Sequence, residues 1–486
     1  MSLSTGRGEY GIINEVFNAG IRLPFDGDLH QYQIEDINKF GRRKKCGYFL
    51  DVGLGKTVLG ALTAGYHLLH GFDRAMVLCP ASLIPQWVEV LRKMNYDVIA
   101  YRGTPEERKK MNFEHDFSVL SFEIFIRDYN RIRDLKSVYF VIDEATILSN
   151  SQNKFHKMFN GGVLKKSVKV PGRAKPMIVP EAYNNINNGC CLLTATPSNT
   201  PSDLYGLIKT IEPSIYLNRF QFDRLHVSET DYFGAPSSFV NLEMLKANLD
   251  SVASIRFASD HLDLPDKVTN VIEYDLDPDH MELYKQLMEE RLIVYKGKVI
   301  IDALQATALY NAAQRIITNP DMAMYKKDPK GLELLDTVVR NNPSTLIVNK
   351  YTITNDNIMG RYKDIGIGGC YGKITRQQQT KHIEDFKAGK LRVLTVHAKS
   401  AGVGLNLQSS CSNVVFLELP MTARDMHQAI GRVYRQGQQS RVIVTIFIAR
   451  RTIQHTLLKR ILETEDLNNQ VLNSPDSLRK DLFPDG

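Results

Sequence analysis

The sequence predicts an α/β protein with two doubly wound parallel-sheet lobes and helical insertions, and three observations lead to this fold class. Short runs that are apolar throughout alternate with amphipathic stretches, which is typical of buried parallel strands joined by helical crossovers. The runs fall into two blocks, before about residue 200 and after about residue 340, with helical periodicity and little strand signal between them. The 486 residues are enough for roughly three domains of about 150 residues, which accommodates two large lobes.

The apolar runs are the predicted strands of the two lobes. In chain order they are AMVLCP (75–80), FSVLSF (117–122), VYFVID (138–143), CLLTAT (191–196), TLIVNK (345–350), RVLTVH (392–397), NVVFLELP (413–420) and RVIVTIFIA (441–449). The proline-rich turn LDLPDK (262–267) is the predicted crossing between the lobes.

Domain boundaries follow from that crossing. Lobe 1 is expected over 1–262, with a basic insertion at about 160–188 and a helical insertion at about 202–260. Lobe 2 is expected over 263–486, with a helical insertion at about 277–340 and a polar, loosely held C-terminal tail after about Glu463.

Composition excludes several classes of protein. Hydrophobic residues make up 43% and charged residues 24% of the chain, which is ordinary globular usage and excludes a disordered chain or a fibre. The apolar stretch Val442–Ala449 is far shorter than the roughly 18 to 20 residues that cross a bilayer, so no membrane partner is expected. The first residues lack the apolar segment of a secretory signal, and the scattered cysteines have no metal-ligand spacing. We therefore expect a reducing, cytoplasmic location.

The net charge of +7 is concentrated in one segment. Residues 145–180 contain no Asp or Glu, but they hold seven basic residues: Lys154, Lys157, Lys165, Lys166, Lys169, Arg173 and Lys175. Within this segment, VLKKSVKV and MIVP flank PGRAKP, which predicts two short strands around a Pro and Gly turn. Two interpretations stay open: a solvated surface hairpin, or a basic hairpin that grips nucleic-acid phosphates through Lys165, Lys166 and Arg173 or wedges a junction.

A phosphate-binding loop is predicted at YFLDVGLGKTVLGALTAGYHLL (48–69), which gives an apolar strand, a Gly-rich turn and a helix. Gly53 and Gly55, on either side of Leu54, let backbone amides approach phosphate oxygens. Lys56 can reach the β and γ phosphates, and Thr57 offers its hydroxyl to Mg²⁺. Leu50 replaces the first glycine of the strict GxxxxGKT pattern, but the strand and helix around the turn still favour an ATP site.

Two polar segments after apolar strands are candidates for catalysis. In VYFVIDEAT, Asp143 could hold Mg²⁺ through water, and Glu144 could orient or deprotonate the attacking water. Such an acidic pair is often only a loop start or a helix cap, but the upstream phosphate loop favours catalysis. In CLLTATPSNT, Thr194 and Thr196 could sense the occupied nucleotide site, although TATP could also be an ordinary tight turn.

Two arginines stand three residues apart in QAIGRVYRQGQ (428–438). If this segment is a helix, Arg432 and Arg435 lie on one face and could reach one triphosphate together. Surface ion pairing is the alternative interpretation.

The motifs together resemble those of superfamily 2 helicases, and most closely the Swi/Snf-type branch, whose small members include bacterial and phage DNA helicases and translocases. The resemblance covers about residues 29–460. It is carried, in family order, by LHQYQ, DVGLGKT, CPASLIPQW, VLSFE, DEATILSN, LTATPSN, TLIVNK, AGVGLNLQ and QAIGRVYRQGQ.

This resemblance implies two RecA-like lobes that use ATP and Mg²⁺ to act on DNA. Gln33 would read adenine, and Gly404 would also contact the nucleotide. The phosphate loop with Lys56, Thr57, Asp143 and Glu144 would bind and hydrolyse ATP, and Arg432 and Arg435 would be arginine fingers. The segments that would touch or position nucleic acid lie around Ser82, Trp87, Ser121, Gly402 and Asn406, although core packing of Trp87 is favoured over base stacking.

The implied partner is duplex, forked or branched DNA in a bacterial or phage-infected cytoplasm, with replication, recombination or repair proteins as possible associates. RNA is a less favoured partner. Two alternatives stay open: an RNA-directed ATPase, and a nucleotide-gated DNA-binding module with little turnover.

Overall fold

The chain is seen in a computed structural model that describes residues 11–168, 177–230, 234–295, 298–323, 325–398, 405–475 and 477–482. It divides into two compact units, which we call unit 1 and unit 2. Unit 1 comprises the described residues up to His261 together with Leu467–Ser474. Unit 2 comprises Leu262–Asp466 and the described residues from Pro475 onward. The division at residue 262 falls at the start of the LDLPDK turn.

Strands are numbered along the chain. They are β1 (Lys45–Leu50), β2 (Arg74–Cys79), β3 (Val98–Ala100), β4 (Phe117–Ser121), β5 (Val138–Asp143), β6 (Gly161–Val168), β7 (Met177–Asn185), β8 (Cys190–Thr194), β9 (Val227–Thr230), β10 (Pro236–Phe239), β11 (Ala253–Arg256), β12 (Lys267–Tyr274), β13 (Leu292–Tyr295), β14 (Lys298–Asp302), β15 (Thr345–Asn349), β16 (Ile367–Cys370), β17 (Val393–His397), β18 (Asn413–Phe416) and β19 (Val442–Ala449).

Helices are numbered in the same way. They are α1 (Gly11–Asn18), α2 (Gln31–Phe40), α3 (Lys56–Leu69), α4 (Ile84–Lys93), α5 (Pro105–Lys110), α6 (Phe122–Arg127), α7 (Tyr129–Arg133), α8 (Lys154–Asn160), α9 (Leu204–Ile211), α10 (Arg219–His226), α11 (Leu242–Asp250), α12 (Ala258–His261), α13 (Pro278–Glu290), α14 (Ala306–Thr318), α15 (Lys330–Asn341), α16 (Thr352–Arg361), α17 (Arg376–Lys387), α18 (Ala423–Ile430), α19 (Ile453–Leu472) and α20 (Leu478–Leu482). No helix in the described ranges is both long enough and apolar enough to cross a bilayer.

Each unit is built on its own parallel sheet. In unit 1 the strand order is β11-β1-β8-β5-β2-β4-β3, and in unit 2 it is β12-β19-β18-β15-β17-β16. Every neighbouring pair in both sheets is parallel. The central strands are buried along their length, as expected for parallel strands covered on both faces. The predicted fold class is therefore confirmed.

All eight apolar runs form strands, but the prediction of a largely helical segment between the two blocks is incomplete. That segment also contains the hairpins β9–β10 and β13–β14 and the edge strands β11 and β12. These strands escaped the sequence analysis because they are short or half exposed, and so they lack a continuous apolar run. Strand β12 alternates between more and less exposed residues, as suits an edge strand with only one face well covered.

The expectation of a loosely held C-terminal tail is wrong. Helix α19 continues to Leu472, and its last turns belong to unit 1, although the whole tail was expected in lobe 2. Val471 is fully buried in the hydrophobic core of unit 1. Asn468 donates a hydrogen bond to the carbonyl of Asn199, and its Oδ1 accepts one from the Ser198 hydroxyl at 3.1 Å. The polar residues of this segment are therefore structural.

The predicted basic hairpin is present as the antiparallel pair β6–β7, with Gly162 opposite Tyr183 and Val168 opposite Met177. Lys165 is exposed on β6. The turn PGRAKP, which contains Arg173, lies outside the described residues.

Candidate active site

The carboxyl ends of three adjacent strands bring the candidate catalytic motifs to one edge of the unit 1 sheet. Strand β8 pairs with β1 on one side and with β5 on the other. In these pairs Phe49 stands opposite Thr194, and Asp143 stands opposite Leu193. Because the strands are parallel, the loop after β1, the threonines after β8 and the acidic pair after β5 leave the sheet at the same edge. Ligands of open α/β sheets bind at this edge.

The loop between β1 and α3 has a backbone that only glycine adopts easily. Gly53 and Gly55 have φ values of +94° and +82°, and Gly55 is the residue before the first turn of α3. A Cβ on Gly55 would stand 2.2 Å from Nε2 of Gln33. The close approach and the left-handed backbone both require glycine here. The loop therefore presents backbone amides at a helix N-terminus, which is the arrangement that binds phosphate.

Gln33 is fixed against this loop. It is 4% exposed on α2, its Nε2 donates to the carbonyl of Leu54 at 3.1 Å, and its Oε1 accepts from the amide of His30 at 2.9 Å. The Tyr32 hydroxyl also donates to the Leu54 carbonyl, at 3.2 Å. The side chains of Tyr32 and Gln33 thus hold the backbone of the loop in place. Recognition of adenine by Gln33 stays a prediction.

Lys56 begins α3 and turns back toward the end of β1. Its Nζ donates to the carbonyl of Leu50 at 2.5 Å and to that of Asp51 at 2.9 Å. Neutral carbonyls are weaker partners for an ammonium group than a phosphate anion is. Thr57 follows in the first turn of α3.

Asp143 is 8% exposed at the end of β5, and both of its oxygens accept hydrogen bonds. Oδ2 accepts from the indole Nε1 of Trp87 at 2.8 Å, and Oδ1 accepts from the backbone amide of Glu144 at 3.0 Å. Glu144 has a left-handed backbone, with φ +57°. A non-glycine residue with positive φ is strained, and such residues cluster at active sites.

Trp87 was predicted to pack in the core, and it does so with 1% exposure. Its hydrogen bond to Asp143 was missed. A Trp buried near an apolar run needs a partner for its N–H, but no local signal identifies a partner 56 positions away.

The TATP segment places one buried polar group near the same sheet edge. Thr194 is fully buried, and its hydroxyl donates to the carbonyl of Thr196 at 3.3 Å. The Thr196 hydroxyl is buried and has no hydrogen-bond partner among the described residues. Such a group is costly to leave unsatisfied, and a ligand could satisfy it.

Arg432 and Arg435 were expected on one face only if their segment is a helix, and this condition is not met. Helix α18 ends at Ile430, and the chain continues in turns through residue 437. The carbonyl of Arg432 accepts from the amide of Leu407 at 2.9 Å. The amides of Val433 and Tyr434 both donate to the carbonyl of Ile430, at 2.9 and 2.8 Å, so the chain forms a turn after the helix.

The two arginines nevertheless differ from surface side chains. Arg432 is 7% exposed, and Arg435 donates from its guanidinium to Oδ1 of Asn406. The Nε of Arg435 is buried without a hydrogen-bond partner in the described part of the chain, and burial lowers the pKa of this guanidinium from its ordinary value. The guanidinium stays charged at this site.

The other predicted nucleic-acid residues lie in varied settings. Ser82 is exposed just before α4. Ser121 is buried and accepts from the amide of Ile124 at 3.3 Å, so it caps α6. Lys165 and Lys166 lie in β6. Gly402, Gly404 and Arg173 fall outside the described residues.

The candidate Mg²⁺ ligands of this edge are oxygen atoms. Across the described ranges, no three His, Cys, Asp or Glu residues are grouped so as to hold a metal ion. Mg²⁺ is typically bound through one or two protein oxygens, with phosphates and water completing its shell. Thr57 and Asp143 offer such hard oxygen ligands.

Comparison with protein families now defines the class. Residues 37–169 and 181–322 match the SNF2-related domain, and residues 330–437 match the helicase conserved C-terminal domain. With two parallel-sheet units and a phosphate loop, these matches define a helicase-type, nucleic-acid-dependent ATPase core. The chain belongs to the SNF2-related family, and the resemblance to Swi/Snf-type helicases is confirmed.

Individual relatives are distant and mostly longer. An uncharacterized ATP-dependent helicase of Mycoplasma pneumoniae is 25% identical over 94% of this chain, which spans 44% of that protein. The uncharacterized ATP-dependent helicase YqhH of Bacillus subtilis is 23% identical over 94% of this chain and 80% of its own length. Chromodomain-helicase-DNA-binding protein 1-like of Danio rerio is 23% identical over 91% of this chain and 44% of its own length. The solved Sulfolobus solfataricus SWI2/SNF2 ATPase core in complex with dsDNA covers 95% of this chain and 98% of its own, with 20% identity and a TM-score of 0.42.

Proposed function

We propose that this protein is an ATP-dependent DNA translocase or helicase that couples ATP hydrolysis to movement on duplex, forked or branched DNA. The observation that carries the proposal is the meeting of the phosphate loop, the acidic pair and the TATP threonines at one edge of the unit 1 sheet. Membership of the SNF2-related family supports it.

Each catalytic step is assigned to a residue of this chain. The amides around Gly53 and Gly55 and the N-terminus of α3 bind the phosphates. Lys56 exchanges the carbonyls of Leu50 and Asp51 for phosphate oxygens. Thr57 would hold Mg²⁺ directly and Asp143 would hold it through water, and the bound ion would neutralise charge on the phosphates. Glu144 orients the attacking water and accepts its proton.

Arg432 and Arg435 are proposed as arginine fingers that stabilise charge in the transition state. Their charge is permanent, and the buried, unpartnered Nε of Arg435 favours a role in ligand binding over simple surface pairing. Gln33, through its bonds to Leu54 and His30, keeps the loop in shape before nucleotide arrives.

DNA is proposed over RNA as the track because the Danio rerio relative is named as a DNA-binding helicase. The segment 145–180, which includes strand β6, has no acidic residue and offers positive charge to the phosphates of either nucleic acid. Phosphate contacts of this kind supply the sequence-independent part of DNA binding.

A triplex-displacement assay tests movement separately from strand separation. The full chain with ATP and Mg²⁺ is expected to displace a third strand from duplex DNA, and Glu144→Gln, as a matched control, is expected not to. Strand separation is measured in parallel on forked DNA and on an RNA duplex. The proposal would be contradicted if the protein neither displaces the third strand nor separates forked DNA. Activity on RNA alone would also contradict it. Tight DNA binding without turnover would favour a nucleotide-gated binding module.

A further inference from the structure

We propose that Trp87 is a positioning residue for the carboxylate of Asp143, and that it links the exposed start of α4 to the ATPase site. This inference rests on the proposed function and deepens it. It concerns unit 1 alone, and it explains how binding near Ser82 could change the hydrolysis rate.

The contact between Trp87 and Asp143 fixes both side chains. The indole N–H is a donor only, it is buried, and its acceptor is Oδ2 of Asp143 at 2.8 Å. The other oxygen, Oδ1, accepts from the amide of Glu144 at 3.0 Å. One donor therefore comes from α4 and the other from the backbone that carries the proposed general base. Together they set the rotation of the carboxylate that is proposed to hold Mg²⁺.

The packing of helix α4 fixes the position of Trp87. Its buried residues are Ile84, Trp87, Val88 and Leu91, which follow the spacing of a single helix face. That face packs on the sheet of unit 1, so the helix cannot slide without moving all four side chains.

The N-terminal end of the same helix, where Trp87 lies, also has exposed residues. Ser82 is exposed, and so are Pro85 and Gln86 in the first turn. The distance in sequence from Ser82 to Trp87 is little more than one helical turn. Nucleic acid that binds at the start of α4 and shifts this turn therefore also shifts the donor to Asp143. We infer that part of the stimulation by nucleic acid passes through this hydrogen bond.

A one-atom replacement can test the contact, because the chain contains a single Trp. Expression in a Trp auxotroph with β-(3-benzothienyl)alanine replaces the indole N–H by sulfur at position 87 and nowhere else. The matched control is 5-fluorotryptophan, which keeps the N–H and nearly the same shape. Trp87→Phe is a second variant that keeps an aromatic ring in the core.

The benzothienyl protein is expected to keep its thermal unfolding midpoint and its KM for ATP. Its kcat with DNA is expected to fall at least tenfold relative to the fluorotryptophan control, and the Mg²⁺ concentration that half-saturates nucleotide binding is expected to rise. That last measurement needs no turnover, since a fluorescent ADP analogue reports it at equilibrium.

A failure of this inference can be distinguished from a failure of the proposed function. If the benzothienyl protein and the control have the same kcat, DNA stimulation and Mg²⁺ dependence, Trp87 is only a core residue and the inference is wrong while the proposed function stands. If the parent protein itself does not hydrolyse ATP, the proposed function is wrong and the inference falls with it.

Discussion

The side-chain amide of Gln33 occupies the space into which a Cβ on Gly55 would project, with Nε2 only 2.2 Å from that point. The same nitrogen donates to the carbonyl of Leu54 at 3.1 Å. Helix α2 and the phosphate loop are therefore closely fitted to each other. Preorganised donors cost no rearrangement when charge develops, so this fit favours catalysis as well as binding.

Gly55→Ala should weaken nucleotide binding at least tenfold. The new Cβ strains a backbone with φ +82° and pushes Gln33 away from Leu54. Equilibrium titration with a fluorescent ADP analogue measures the change. Gly71→Ala is the matched control, because its φ is +108° but nothing lies within 4 Å of its added Cβ. Equal losses of affinity in the two variants would mean that general backbone strain, not the Gln33 contact, is responsible.

Glu144→Gln should abolish turnover but leave ATP bound, since it removes the proposed base and keeps Lys56 and the loop amides. Lys56→Ala should instead weaken binding, because the phosphates lose their charged partner. Steady-state hydrolysis and nucleotide titration separate the two effects. Near-parental hydrolysis by both variants would show that the site is misassigned.

Arg432→Ala and Arg435→Ala should each lower kcat strongly with smaller changes in ATP affinity. Arginine fingers act mainly on the transition state, and their loss costs roughly a thousandfold or more in known systems. We expect Arg435 to matter at least as much as Arg432. Single-turnover kinetics at saturating ATP provides the test, and a loss of ATP affinity with unchanged kcat would argue for ground-state binding instead.

Replacing Lys165, Lys166 and Arg173 together by Ala should flatten the salt dependence of DNA affinity. Each phosphate contact contributes about −0.9 to the slope of log affinity against log salt, so the slope should decrease by up to about three. Fluorescence anisotropy over a salt series measures it.

The control for this variant is the triple replacement of Lys93, Lys109 and Lys110, which are exposed elsewhere in unit 1. It removes the same charge, so an equal effect would show that only net charge matters. If the slope is unchanged in the hairpin variant, β6–β7 does not contact DNA phosphates and is only a solvated surface hairpin.

Acid should destabilise unit 1 through His156. Burial lowers the pKa of His156 to about 4, below the 6.5 of an ordinary His, so between these values the unfolded chain binds the extra proton. The contribution of neutral His156 to the free energy of unfolding is complete above pH 6.5. It decreases as the pH falls toward 4, by at most about 3 kcal/mol. Urea unfolding followed by Trp87 emission reports on unit 1. His156→Gln should flatten this pH dependence, and an unaltered slope would contradict the assignment.

Buried strands could be predicted from the sequence, because a parallel strand covered on both faces needs a continuous apolar run. VYFVID and TLIVNK both form strands for this reason. The edge strand β16, Ile367–Cys370, could not be predicted in this way, since two of its four residues are glycines with low strand propensity.

Long-range contacts explain the remaining differences. The Arg432 carbonyl accepts a bond from the distant Leu407 amide, and Val471 of the C-terminal segment packs in the core of unit 1. The contact of Trp87 with Asp143 likewise joins residues far apart in the chain. Composition and periodicity describe only neighbouring residues, so none of these contacts was accessible from the sequence.

The most direct test of the central claim is the ATP hydrolysis rate of the full chain with and without nucleic acid. Single-stranded, duplex, forked and four-way DNA should be compared, with RNA and the Glu144→Gln variant as controls. We predict Mg²⁺-dependent hydrolysis that rises with DNA containing a duplex region, rises less with RNA, and is lost in the variant. Hydrolysis that is absent, unaffected by any nucleic acid, or retained by Glu144→Gln would contradict the account.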